Sequence, residues 1–188
     1  MGDIQVHKGI DEYLINSLSE TAEKTGAHID DRTKAYVVFL LRGQLQGRYW
    51  PDEPLAPHLA RAMQRGIPPS LRKERFRMVG DVSLIFCGLW WMREDCRPHR
   101  ASNIDFYLSI GPMAYRQVDD GAPFCELSRQ FGLLADLLAR MGLTGSGSSA
   151  NEIVRLFRIW EQTHNMHAAR ILADHCVFVS STRSSTPS

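Results

Sequence analysis

Fifteen consecutive residues, Met78 to Met92 (MVGDVSLIFCGLWWM), carry a single formal charge, Asp81. A segment this apolar reads as a helix buried on nearly every side, and it therefore has to sit near the centre of the fold. The acid inside it must be hydrogen-bonded, paired or neutralised, because an isolated buried charge costs several kcal/mol or more. Asp81 is thus either a structural anchor or the seed of a site. If it is a structural partner, Asp81→Asn is expected to cost stability through a lost charged hydrogen bond; if it serves a site, stability should change little or even rise while ligand binding disappears.

The rest of the chain reads as helices. Ile10, Tyr13, Leu14, Leu18 and Ala22 share one helical face, after a loose arm over 1–9 and before a stop at Gly26. Asp30 or Asp31 caps a second helix running to about Gln46, whose core AYVVFLL is apolar on all sides and points to a central position. Residues 54–65 form a short amphipathic helix, and Gly66 with Pro68-Pro69 breaks the chain before the long helix that holds Asp81. Asn103 opens another helix with a kink expected at Gly111-Pro112.

Phe124, Leu127, Phe131, Leu134, Leu138 and Met141 then line one helix over 123–141. The segment 144–149 (TGSGSS) reads as a flexible linker, followed by a capping box at Ser149 and Glu152 that opens a helix with Ile153, Leu156, Phe157 and Trp160 on one stripe. A short last helix spans Met166 to His175, and the tail 179–188 reads as disordered. No run of period-two strands is found. The expectation is an all-α protein: a single compact bundle of seven or eight helices forming one domain over 1–178, with the linker inside it. At 188 residues the chain has room for one sizeable core.

Composition narrows the function classes. A net charge of +1 gives no general reason to bind nucleic acid or an anionic membrane. No stretch approaches the ~20 apolar residues that cross a bilayer, so no membrane insertion is expected. The start, MGDIQVHKGIDEYL, reads as neither a secretory signal nor a myristoylation site. The four cysteines (Cys87, Cys96, Cys125, Cys176) are far apart and read as reduced thiols of a cytoplasmic protein, with Cys87 and Cys125 on apolar faces.

Three constellations can carry chemistry. Cys96-x-x-His99 and His164-x-x-His167 each set two potential zinc ligands at metal-like spacing, although Pro98 disturbs the first pair. Arg72, Lys73, Arg75 and Arg77 form the densest basic patch; a charge run on a helix is ordinarily a solvated face. Asp81 could face Tyr107 and Tyr115, which are eight residues apart on one helical face, with Glu126 or His99 at the mouth of the resulting pocket. A buried acid so placed could hold a raised pKa suited to acid–base work, or simply be satisfied by phenol hydroxyls. No nucleophile elbow, phosphate-binding loop or di-iron carboxylate motif is present, and nothing specifies a cofactor.

The order of segments AYVVFLL, PLAPHLARAM, LRKERFRMVGDVSLIFCGLW, IDFYLSIGPMAY, FCELSRQFGLLADLL and IVRLFRIWEQTHNMHAARIL resembles a family of bacterial helical proteins known only as hypothetical. The resemblance covers about residues 35–178 and rests on the Gly-Asp before the apolar run, the IDFY…G…AY stretch and the last tryptophan-bearing helix. It implies a helical, cytoplasmic, bacterial protein and brings no activity with it. Where that family reads Phe-Phe-Pro after the buried helix, this chain has Leu89-Trp90-Trp91-Met92.

The leading expectation is therefore a protein-interaction or regulatory module, working with a protein partner or as a homo-oligomer. Exposure of Trp50, Trp90 or Trp91 would favour it. The alternatives are an enzyme or small-ligand binder with an internal pocket around Asp81, Tyr107 and Tyr115, and a metal-binding helical protein. A tightly packed, fully hydrogen-bonded Asp81 would count against the internal pocket.

Overall fold

The computed structural model describes residues 3–45, 55–90, 104–119 and 121–145, together with 160, 169–170 and 172–173. Among these the fold is all-α, with seven α-helices and no strand: α1 (Asp3–Thr25), α2 (Asp31–Leu45), α3 (Leu55–Ala62), α4 (Pro69–Ile85), α5 (Ile104–Arg116), α6 (Phe124–Arg129) and α7 (Phe131–Gly145). One core of buried side chains runs through all of them, and it takes in Trp160 and Leu172 from the C-terminal part. No helix among the described residues is long and apolar enough to cross a membrane.

The Asp81 helix is central, as its composition requires. Every residue from Val79 to Gly88 is buried. α4 packs most extensively on α5, and also meets α2, α3 and α7. At its end it widens into a π-helical turn, Phe86–Trp90, which lies against α7. Gly88 explains the close approach: a Cβ there would stand 2.5 Å from Cβ of Leu138. The missing side chain lets the Leu138 side chain of α7 lie directly against the backbone of the turn.

Local chemistry fixes the helix starts and ends. Asp30 caps α2, its Oδ1 accepting from the backbone N–H groups of Arg32 (3.0 Å) and Thr33 (3.1 Å). The Thr33 hydroxyl donates to the other carboxylate oxygen and holds this carboxyl below its ordinary range. Pro112 lies inside α5, which runs on through it to Arg116.

Several expectations are corrected. The loose arm over 1–9 is helical from Asp3, as part of α1. α2 is not apolar on all sides in space: Val37, Val38, Leu40 and Leu41 face inward, while Phe39 is 44% exposed. The helix expected over 123–141 is two, because Gln130 leaves helical geometry between α6 and α7. Thr144 and Gly145, expected to begin the linker, continue α7. Cys125 is exposed rather than on an apolar face, while Cys87 is buried, and both are free thiols. The remaining linker residues, the capping box at Ser149, and the tail 179–188 lie outside the described residues.

Candidate functional site

Asp81 is held by two tyrosines from two other helices. The hydroxyls of Tyr36 (α2) and Tyr115 (α5) both donate to its Oδ1, at 2.8 and 2.9 Å. Its second oxygen lies 4.0 Å from Nε of Arg77, one turn earlier in α4. The residue is only 3% exposed and Tyr115 is fully buried. Burial raises the Asp81 carboxyl from its ordinary range to about 6, against the opposing pull of the two phenol donors and the arginine. Burial, and the acid beside it, push the Tyr115 phenol well above its ordinary value.

The residue before the acid makes this arrangement possible. A Cβ on Gly80 would stand 2.7 Å from two ring carbons of Tyr115. Only glycine lets that ring lie against α4 closely enough for its hydroxyl to reach Asp81. Gly80 and Asp81 of α4 thus meet the ring and the hydroxyl of one residue of α5, Tyr115. The acid's partners are this chain's own side chains, so the cluster ties α2, α4 and α5 together.

Tyr107 does not join it. Its ring stacks on Phe86, with centroids 4.1 Å apart, on the π-helical side of the core, where burial raises its phenol. Although Tyr107 and Tyr115 are both buried, α5 meets different neighbours two turns apart. Glu126 is engaged within α6 and its end, accepting from Arg129 (2.9 Å) and from Gln130. Tyr36 is the partner that sequence reasoning missed. The available signal was a phenol alone in the apolar run AYVVFLL, since a buried tyrosine hydroxyl needs an acceptor.

The basic patch divides into two faces. Arg72 donates to the carbonyl of Gln64 (3.2 Å) and Arg75 to that of Arg61 (2.8 Å), so both secure the end of α3. Lys73 and Arg77, one turn apart, instead line an open groove of about 410 Å³ with Ser70, Glu74, Val118 and Phe124. Among the described residues no carboxylate pairs with Lys73. The groove adjoins the acid cluster. Arg77 belongs to both, and the Phe124 ring packs edge-on against Tyr36 at 5.3 Å and tilted against Tyr115 at 6.0 Å.

A second cavity of about 280 Å³ is lined by Arg116, Asp119, Cys125, Ser128 and Arg129. Its arginines are engaged: Arg116 donates to Ser128 (3.2 Å) and Arg129 pairs with Glu126 (2.6 Å). Among the described residues no three His, Cys, Asp or Glu side chains gather as a metal site requires. Cys96, His99, His164 and His167 lie outside those residues, as do Trp50, Trp91 and the side chain of Trp90. The large exposed apolar side chains that are described, among them Tyr13, Phe39, Met63 and Leu71, are spread over different elements. Comparison of the chain with protein-family models, with curated proteins and with solved structures finds no match to any of them.

Proposed function

We propose that this chain is a non-catalytic interaction module of the cytoplasm, and that the groove beside the first half of α4 receives an acidic, partly apolar segment of a partner protein. The carrying observation is the lining: Lys73 and Arg77 on one wall, Val118 and Phe124 as the apolar floor. Two cations one turn apart suit carboxylates on an extended or helical segment, and an aromatic floor suits the apolar side chain between them. Glu74 at the same groove repels any ligand carboxylate set beside it, and so confines the acids of the segment to the positions facing Lys73 and Arg77. The Asp81 cluster is read as the rigid base on which this surface stands, because its oxygen is already occupied by the protein's own phenols.

Fluorescence polarisation with a short labelled peptide alternating glutamate with phenylalanine tests the reading, against the same peptide with lysine for glutamate. Saturable binding of the acidic peptide, weakened about fivefold or more by Lys73→Glu, is expected. Equal binding of both peptides, or indifference to Lys73→Glu, would refute it. A self-association that buries this groove, seen by sedimentation, would replace the partner with a second copy of the chain.

A further inference from the structure

Arg77 stands in two environments at once, and its position has a thermodynamic consequence for the groove. It lines the open groove while its Nε lies 4.0 Å from Oδ2 of a carboxylate that is otherwise closed off. The side chain is 48% exposed, and Asp81 is its partner among the described residues. We propose that Arg77 couples the groove to Asp81, so that an anionic group entering the groove favours protonation of the Asp81 carboxyl. This inference rests on the groove being an anion-accepting surface, and it concerns how that surface is regulated.

The coupling is electrostatic. A carboxylate arriving at Arg77 competes with Asp81 for the same cation, and adds a second negative charge beside an acid already disfavoured by burial. Both effects make the ionised form of Asp81 less stable when the groove is filled. Linkage then requires the reciprocal: protonating Asp81 releases Arg77 to the groove and tightens binding. In the empty protein the carboxyl is poised at about 6, so the exchange falls in an accessible pH range.

The groups that act on Asp81 support the assignment. Tyr36 of α2 and Tyr115 of α5 both donate to Oδ1, and neither lines the groove. Arg77 is the charged group that reaches Oδ2. On the other neighbours, Arg116 of α5 is bound to Ser128, Asp136 of α7 faces Arg170, and Arg61 and His58 of α3 neither line the groove nor act on Asp81. Arg77 is therefore the side chain shared by the acid and the cavity.

The test follows the Asp81 carboxyl carbon by NMR through a pH titration of the full chain. It is run with and without a saturating amount of the glutamate–phenylalanine peptide, in wild type and in Arg77→Gln. The peptide should raise the wild-type midpoint by about half to one pH unit, so that affinity rises about threefold to tenfold between pH 7.5 and pH 5. Arg77→Gln should raise the midpoint of the empty protein and leave little further change on binding. Asp81→Asn should bind with nearly pH-independent affinity. Binding with an unmoved Asp81 midpoint, or a midpoint indifferent to Arg77→Gln, overturns the coupling and leaves the groove reading standing. If the peptide does not bind at all, the groove reading fails and the coupling falls with it.

Discussion

Residue 80 has no room for a side chain, because the ring of Tyr115 occupies the place a Cβ would take, with Cδ1 and Cε1 both 2.7 Å from it. Gly80→Ala therefore sets two effects against each other. Alanine gains about 1 kcal/mol over glycine in a helix interior. Forcing the ring away costs about 1–3 kcal/mol in a packed core, and further stability is lost as the Tyr115 hydroxyl leaves Asp81. The steric side wins, and a net loss of about 2 kcal/mol is expected in urea unfolding. An alanine variant as stable as wild type would show that the α4–α5 contact is looser than this spacing requires.

How much of this was legible beforehand follows from what a sequence encodes locally. The helices and the burial of Val79–Cys87 could be read because apolar periodicity and caps are local signals. That Asp81 would need partners was also legible, since burying a charge makes that demand wherever it occurs. Which tyrosine would answer was not. Tyr107 and Tyr115 share a helical face, but α5 faces the π-helical turn at one and Gly80 at the other, and that divergence depends on how helices cross. Tyr36 comes from a helix 45 residues away in sequence. The split of the basic patch had a helical signature in its i, i+4 and i, i+3 spacings, yet the carbonyls that claim Arg72 and Arg75 belong to another element.

The Asp81 carboxyl makes stability depend on pH in a direction opposite to that of most paired acids. Its folded value is about 6, against 3.8 for an unperturbed aspartate. Between those values the folded state holds a proton that the unfolded state lacks. Stability from this group is therefore greatest at low pH, falls as pH rises from about 4 to about 6, and stays at the lower level above that. The difference is on the order of 3 kcal/mol, because proton affinity differs roughly a hundredfold between the two states and each tenfold is worth about 1.4 kcal/mol. Asp81→Asn keeps an oxygen that can accept both phenols and carries no charge. Contrary to the expectation from residue type alone, it should match or exceed wild type at pH 7.5, and the Asp81 contribution to the slope should vanish. Chemical unfolding of both proteins from pH 4 to 8 checks this; parallel curves would rule it out.

Removing either phenol acts on the acid as well as on packing. Tyr36→Phe and Tyr115→Phe each delete one donor that favours the ionised carboxyl, so each should move the Asp81 midpoint above about 6. At pH 7.5 each should lose about 1–2 kcal/mol, the range for a hydrogen bond to a charged group. The two bonds share one acceptor oxygen, so the double variant should not lose the sum of the singles. Strict additivity in unfolding experiments would mean the two tyrosines act independently of Asp81.

The two faces of the basic patch should separate stability from binding. Arg75 donates to the Arg61 carbonyl at 2.8 Å, near the last turn of α3, where a cation also meets the negative end of the helix dipole. Arg75→Ala should therefore lower stability by about 0.5–1 kcal/mol while leaving the glutamate peptide's affinity nearly unchanged. Lys73, two residues away, lines the groove and has no described carboxylate partner, so Lys73→Ala should stay within about 0.5 kcal/mol of wild-type stability. Its cost should appear in peptide binding instead, growing as salt is lowered because the interaction is exposed to solvent. The pair distinguishes a helix-securing arginine from a ligand-facing lysine on one helix. If both variants lose the same property, the division of the patch is wrong.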